Sequence, residues 1–179
     1  MKTIFLIGYM GCGKTTLGRA LANELDVPFI DLDDYIEEQC ECRIADIFAQ
    51  QGEKTFRELE RQALRQMVST EGGIVACGGG TPCHSDNMEW MNSNGITIWL
   101  TTSPERITSR LILPEQKAKR PLIADLSNDE ILNQVEQALM AREPYYNQAH
   151  LQFDSTWLES AGQIKATAQS LAEILQTIL

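Results

Sequence analysis

The sequence lacks a long apolar run, and none of its apolar stretches reaches the roughly 18 to 20 residues of a membrane span. The apolar run after Lys2 is short for a signal-peptide core and passes directly into glycines. Basic residues are also few, with 15 Lys and Arg against 25 Asp and Glu, for a net charge of −10. Nucleic acid and anionic membranes repel such a chain. We expect a cytoplasmic, single-domain protein over residues 1–179 that binds neither.

The sequence also has no pattern of paired cysteines. The number of cysteines is odd, and their spacing is neither that of a disulfide framework nor that of a zinc site. The five are Cys12, Cys40, Cys42, Cys77 and Cys83. We therefore expect reduced thiols, as in a cytosolic protein.

Apolar segments rich in β-branched residues alternate with segments of helical periodicity. Strands are predicted within residues 2–7, 27–33, 72–80, 95–100 and 150–154. Helices are predicted over 15–25, 44–68 and 163–179, the second of them broken near Gly52. This alternation is typical of an α/β fold in which helices cover both faces of a mostly parallel sheet.

A glycine-rich stretch follows the first strand. Residues 8–15, GYMGCGKT, match G-x-x-x-x-G-K-[ST] between a predicted strand and a predicted helix, which is the context of a phosphate-binding P-loop. Lys14 is expected to reach the β- and γ-phosphates of ATP, and the Thr15 hydroxyl to bind Mg²⁺. The alternative is a glycine-rich turn with a chance lysine. The residues expected around the nucleotide are Gly11, Cys12, Gly13, Lys14, Thr15 and Thr16.

Two carboxylates, Asp31 and Asp33, follow the second apolar segment. If the strand continues through both, their side chains share one face, at the edge where open α/β sheets bind ligands. One carboxylate would then orient Mg²⁺ through water, and the other would hold an acceptor hydroxyl and take its proton. The alternative is that Asp33 or Asp34 caps the next helix.

Three later segments contribute glycines and arginines. Arg57 and Glu60 of FRELE are spaced i, i+3, which by itself is typical of a surface ion pair. The glycines at 78–80 would let a substrate approach backbone N–H groups. Arg142 lies in a segment, 141–146, that is expected to end a further helix, and it suits bidentate pairing with a carboxylate.

Residues 113–129 lack clear periodicity and are polar, with a basic centre. A long polar loop in a compact domain is typical of a lid. Arg120 in this stretch would move over the transferring phosphate and neutralise its developing charge.

The chain resembles the shikimate kinase family in six motifs, which are, in order, GYMGCGKT, DLD, FRELE, GGG, KRPL and ARxPxY. The resemblance extends from the first predicted strand to about Tyr146. The P-loop alone is unspecific, whereas the ordered combination is highly specific. The resemblance implies a three-layer α/β/α P-loop kinase with a five-stranded parallel sheet in the order 2-3-1-4-5, acting as a monomer. It also implies that the γ-phosphoryl of ATP, with Mg²⁺, is transferred to the 3-hydroxyl of shikimate, in the route to chorismate and aromatic amino acids.

The resemblance further implies roles for single residues. Lys14, Asp33 and Arg120 are the expected catalytic residues, and Asp31 is expected near Mg²⁺ beside Thr15. The expected shikimate contacts are Asp33, Arg57, Gly78, Gly79, Gly80 and Arg142. The first two lie in a shikimate-binding segment at about 31–62, and the others follow it in the chain. Glu60 would position Arg57. The lid covers about 111–125, and its Arg120 would meet ATP. Arg110 would stack on adenine.

Other readings share part of this pattern. A gluconate kinase would have the P-loop without needing both Arg57 and Arg142, and a nucleoside monophosphate kinase would need more arginines for a second phosphate. A GTPase regulator is disfavoured because no N-K-x-D occurs. An inactive domain is disfavoured because Lys14, Thr15 and Asp33 are all present.

Overall fold

Five parallel strands form the centre of the fold. The structure is a computed structural model that describes residues 1–68, 72–117 and 123–178. The strands are β1 (Thr3–Ile7), β2 (Phe29–Asp31), β3 (Gly73–Ala76), β4 (Gly95–Thr101) and β5 (Leu151–Asp154). Their order is β2-β3-β1-β4-β5, which confirms the prediction. Both β1 and β3 are buried along their whole length, as apolar strands are when helices cover both faces of a sheet.

Helices connect the strands, and a last helix follows β5. They are α1 (Lys14–Leu25), α2 (Leu32–Cys40), α3 (Ile44–Gln66), α4 (Asn87–Asn94), α5 (Pro104–Leu111), α6 (Pro114–Lys117), α7 (Asn128–Tyr146) and α8 (Ala161–Ile178). A 3₁₀ turn at Thr81–Cys83 precedes α4. The predicted break near Gly52 is confirmed, because this residue has φ 81° and ψ 170° inside α3.

Alternate residues of β1 point to opposite faces of the sheet and enter different cores. Ile4 and Leu6 pack with buried residues of α1 and α8, whereas Phe5 and Ile7 pack with buried residues of α2, α3 and α4. The predicted three-layer arrangement of helices, sheet and helices is therefore confirmed.

A smaller core joins α5 to α7. Ile107 and Leu111 of α5 pack there with Ile131 and Val135 of α7, and Tyr9 lies among them. A capping box formed by Ser127 and Glu130 fixes the start of α7. This packing positions the far end of α7, which carries Arg142 and Tyr146.

The predicted lid is described only in part. Residues 118–122, among them Arg120, lie outside the described residues, while α6 and the buried Ile123 on either side are described. In the described part of the chain, none of the helices combines the length and the apolar composition that a membrane span requires.

The start of β4 gives a prediction about packing. A Cβ on Gly95 would lie 2.4 Å from the Thr3 carbonyl oxygen and 2.7 Å from the Phe5 ring, so Gly95→Ala should destabilise the fold by about 1 to 3 kcal/mol. Gly162→Ala is the matched control, because a Cβ there meets nothing within 4 Å. Urea denaturation of both variants measures the difference, and equal stability of the two would contradict the close contact.

Candidate active site

The loop after β1 has the backbone of a phosphate-binding loop. Gly11 and Gly13 have φ of 81° and 101°, which side chains larger than hydrogen disfavour. The helix α1 begins at Lys14, and its N-cap, Gly13, makes no side-chain capping hydrogen bond. The first N–H groups of this helix are therefore available to an anion, which the helix dipole favours.

Lys14 points back into this loop. Its Nζ donates hydrogen bonds to the carbonyl oxygens of Gly8, at 2.8 Å, and Tyr9, at 3.0 Å. The ammonium group therefore lies against the backbone of the loop, where it can bind a phosphate.

Thr15 and Asp31 provide oxygen atoms beside the loop. The Thr15 hydroxyl donates to Asp31 Oδ2 at 2.7 Å, and the exposed Thr16 follows in α1. This hydroxyl and carboxylate suit Mg²⁺, which prefers oxygen ligands and is commonly shared with substrate phosphates. Within the described ranges, no group of three or more His, Cys, Asp or Glu residues is placed to hold a metal by itself.

The sequence prediction for the two carboxylates was wrong in one respect. The strand β2 ends at Asp31, and Asp33 lies in the first turn of α2, so the two do not share a strand face. Asp31 is itself the N-cap of α2, because its Oδ1 accepts the Asp33 N–H at 3.2 Å. The alternative that Asp33 or Asp34 caps this helix is wrong as well. The strand β2 ends earlier than predicted because Asp31 caps α2. Its side chain accepts the Asp33 N–H, which has no partner within the helix.

Asp33 occupies an unusual electrostatic environment. Its pKa is raised to about 6, first by burial and then by the negative charges of Asp31 and Glu60, while the Lys14 charge lowers it. A carboxyl group in this state is still mostly ionised at pH 7 and is a stronger base than an exposed aspartate. Such perturbed carboxyl groups are common at functional sites.

The glycines after β3 bring the acidic and basic side chains together. A Cβ on Gly78 would lie 3.0 Å from oxygens of both Asp33 and Glu60. A Cβ on Gly80 would lie 3.0 Å from Arg57 Nη2, and one on Gly79 would lie 3.2 Å from the Arg142 guanidinium. The absence of side chains at 78–80 thus allows these charged groups to converge on one stretch of backbone.

Arg57 is held by acidic residues on its own helix. Its Nη1 donates to Glu60 Oε2 at 3.0 Å, and its Nη2 donates to Glu53 Oε1 at 3.2 Å. Glu60 is only 1% exposed, so this is not the surface ion pair that the spacing alone suggests.

Arg142 lies near Arg57 across the glycines. Its guanidinium carbon is 5.1 Å from the centre of the Tyr9 ring. Tyr146, one turn further along α7, donates a 2.6 Å hydrogen bond from its hydroxyl to the Gly79 carbonyl oxygen. The end of α7 is therefore fastened to the glycine backbone, and the guanidinium groups of Arg142 and Arg57 approach the neighbouring glycines 79 and 80. Two arginines so placed suit pairing with a carboxylate.

Arg110 and Cys12 tie the phosphate loop to the segment after β5. Arg110 donates to the carbonyl oxygens of Gly11, at 3.0 Å, and Thr156, at 2.8 Å. Cys12 is buried, and its carbonyl oxygen accepts a 2.7 Å hydrogen bond from the Ser155 hydroxyl. Sequence reasoning missed Ser155, because no local pattern relates residues so far apart in the chain.

The fold and this site together define a P-loop kinase that transfers phosphate from ATP. A family model described as "SKI: Shikimate kinase" matches residues 10–179. The chain therefore belongs to the shikimate kinase family, as its motifs predicted.

Comparison with known proteins agrees with this membership. The shikimate kinase of Bacteroides thetaiotaomicron is 44% identical over 176 residues, covering 98% of this chain and 99% of the relative. A crystal structure of shikimate kinase from the same organism has a TM-score of 0.91 and 43% identity, with 98% of each chain covered. Shikimate kinase from Acinetobacter baumannii, solved in complex with shikimate, has a TM-score of 0.84 and 30% identity, covering 99% of this chain and 94% of that one.

The raised pKa of Asp33 predicts how stability depends on pH. The folded state keeps this proton up to about pH 6, whereas the unfolded chain releases it near pH 4, so ionisation of Asp33 reduces stability as pH rises between these values. Asp33→Asn should therefore be more stable than the unsubstituted protein by about 3 kcal/mol at pH 8, and the gain should shrink towards pH 4.

Urea denaturation at a series of pH values measures this gain. Asp34→Asn is the matched control, because the neighbouring Asp34 side chain is 74% exposed and its substitution should change stability far less. A gain for Asp33→Asn that stays constant with pH would contradict the electrostatic explanation.

Proposed function

We propose that this protein transfers the γ-phosphoryl group of ATP to the 3-hydroxyl of shikimate, forming shikimate 3-phosphate and ADP. The observation that carries the proposal is the convergence of Asp33, Arg57 and Arg142 on the glycines at 78–80, beside the phosphate loop. Shikimate is a small anion with ring hydroxyls, and this space offers two cations for its carboxylate and a base for a hydroxyl. The relative solved with shikimate supports the same acceptor.

On the nucleotide side, the backbone and side chains of residues 11–16 would hold the phosphates, with Lys14 reaching the transferring group. Thr15 and Asp31 would hold Mg²⁺, directly or through water, together with phosphate oxygens. Bound there, Mg²⁺ would neutralise part of the charge that develops on the phosphates. Arg110, fixed between the phosphate loop and the 155–159 segment, is proposed to lie against adenine.

On the acceptor side, Arg57 and Arg142 would bind the shikimate carboxylate, with backbone groups of Gly79 and Gly80 alongside. Gly78 would leave room for the ring hydroxyls next to Asp33. This arrangement would orient the 3-hydroxyl towards the phosphate loop, and positioning of this kind supplies much of the catalysis in phosphoryl transfer.

Asp33 would accept the proton of the attacking hydroxyl. Its pKa of about 6 keeps it ionised at pH 7 and places its basicity near the operating pH, where general bases are most effective. Lys14, which lowers that pKa, lies close enough for the two charges to interact.

We also infer the wider organisation of the protein. A single domain over 1–179 would contain a shikimate-binding segment at about 31–62 and a lid at about 111–125, from which Arg120 would reach the transferring phosphate. The enzyme would act as a monomer, as the resemblance to the family implies. A cytoplasmic location would supply ATP and keep the five cysteines, free in the structure, reduced. Its product would enter the route to chorismate and aromatic amino acids.

Release of ADP by the purified protein tests the proposed reaction. With ATP and Mg²⁺ present, turnover should require shikimate. It should be absent with gluconate, whose carboxylate is carried on an open, flexible chain rather than a ring, and with a nucleoside monophosphate, which has no carboxylate. Lys14→Met should abolish turnover while the fold remains intact by circular dichroism. Turnover with gluconate or a nucleotide instead of shikimate would overturn the acceptor assignment and keep the phosphate loop.

The two arginines give a second prediction. Arg57→Ala and Arg142→Ala should each weaken shikimate binding by about 2 to 5 kcal/mol, through loss of charge-assisted hydrogen bonds, with little change in the KM for ATP. Arg61→Ala is the matched control, because Arg61 lies one turn along α3 and pairs with Asp86 instead. If both variants keep the original KM for shikimate, the carboxylate lies elsewhere.

A further inference from the structure

Thr81 is a buried polar residue next to the proposed acceptor site. It is the first residue of the 3₁₀ turn, directly after Gly80, and its side chain is completely buried. Its hydroxyl donates a 2.5 Å hydrogen bond to Oε1 of Glu60. The proposed site accounts for Glu60, as the partner of Arg57, but it gives no role to this hydroxyl.

The two carboxylate oxygens of Glu60 have separate partners. Oε1 accepts from Thr81, and Oε2 accepts from Arg57 at 3.0 Å. Within the described ranges, the hydrogen bonds of this side chain are these two. A buried carboxylate oxygen without a donor is unfavourable, so loss of the Thr81 hydroxyl would lead Glu60 to change its position or to draw Arg57 towards the vacated oxygen.

The backbone of the turn is fixed independently of this hydroxyl. Asn87, also completely buried, donates from Nδ2 to the Thr81 carbonyl oxygen at 3.0 Å and accepts from Arg65 Nη1 at 3.2 Å. The Thr81 N–H donates to the Gly78 carbonyl oxygen at 3.1 Å. These contacts remain when the hydroxyl is removed, so its effect can be separated from that of the turn.

We propose that Thr81 is a positioning residue for the acceptor site. Its hydroxyl holds the Glu60 carboxylate in the orientation that pairs with Arg57, and thereby fixes the Arg57 guanidinium beside Gly80, where the substrate carboxylate would bind. Thr81 does not touch the substrate and acts through Glu60 and Arg57. The inference rests on the proposed role of Arg57 in binding shikimate.

Substitution of the hydroxyl alone tests this role. Thr81→Val keeps the shape of the side chain and should raise the KM for shikimate about tenfold, as expected when a buried charged group loses a hydrogen bond, with kcat and the KM for ATP nearly unchanged. Thr81→Ser keeps the hydroxyl and should restore the original KM for shikimate. Thr3→Val removes a buried hydroxyl in β1, away from the glycines at 78–80, and should leave all three parameters unchanged.

A double-mutant cycle with Arg57→Ala identifies the route of the effect. In the Arg57→Ala background, Thr81→Val should add little to the KM for shikimate, because the group through which it acts is gone. Full additivity of the two substitutions, or an equal rise for the valine and serine variants, would overturn the inference. Calorimetric binding of shikimate without ATP is a second readout, and Thr81→Ala replaces the valine variant if that variant does not fold.

The cycle also distinguishes this inference from the proposed function. If Arg57→Ala raises the KM for shikimate and Thr81→Val does not, the positioning role of Thr81 is wrong and the acceptor site stands. If Arg57→Ala leaves that KM unchanged, the acceptor site is wrong and the role of Thr81 is overturned with it.

Discussion

The hydrogen-bonding register of the parallel sheet is the constraint on which the whole site depends. Leu6 of β1 and Asp31 of β2 both lie beside Ala76 of β3, so three strands end at one edge of the sheet. Parallel strands share such an edge because a crossover helix returns the chain after each of them. The phosphate loop, the carboxylates and the glycines at 78–80 are neighbours in space for this reason, although long segments of chain separate them.

Close approach of buried charges is the second feature of this edge. Carboxylate oxygens of Asp33 and Glu60 both approach the Cβ side of Gly78. Arg57 pairs with Glu60, and the Lys14 charge lowers the pKa of Asp33. The pKa of Asp33 is raised to about 6, first by burial and then by the negative charges of Asp31 and Glu60. The raised pKa makes the fold less stable at neutral pH and makes the Asp33 carboxylate a stronger base. Active sites commonly lose stability for reactivity in this way.

Contacts from the second half of the chain complete the site. Ser155 and Arg110 hold the carbonyl oxygens of Cys12 and Gly11, and Tyr146 holds that of Gly79. Each bond fixes a backbone whose glycines would otherwise be free to move, so the shape of both loops depends on helices and turns far along the chain. Rigid support of this kind is what binding loops need in order to hold their ligands in one geometry.

The five strands, the break at Gly52 and the phosphate loop could all be predicted from the sequence, because apolar periodicity and glycine spacing act between near neighbours. The motifs also indicated the family and, through it, the order of the strands. The end of β2 at Asp31 could be seen only in the folded chain, since strand continuation and helix capping compete for the same residue. The bonds of Glu60 to Thr81 and of Cys12 to Ser155 were likewise decided by the fold, because a hydrogen bond between residues distant in the chain leaves no local pattern in the sequence.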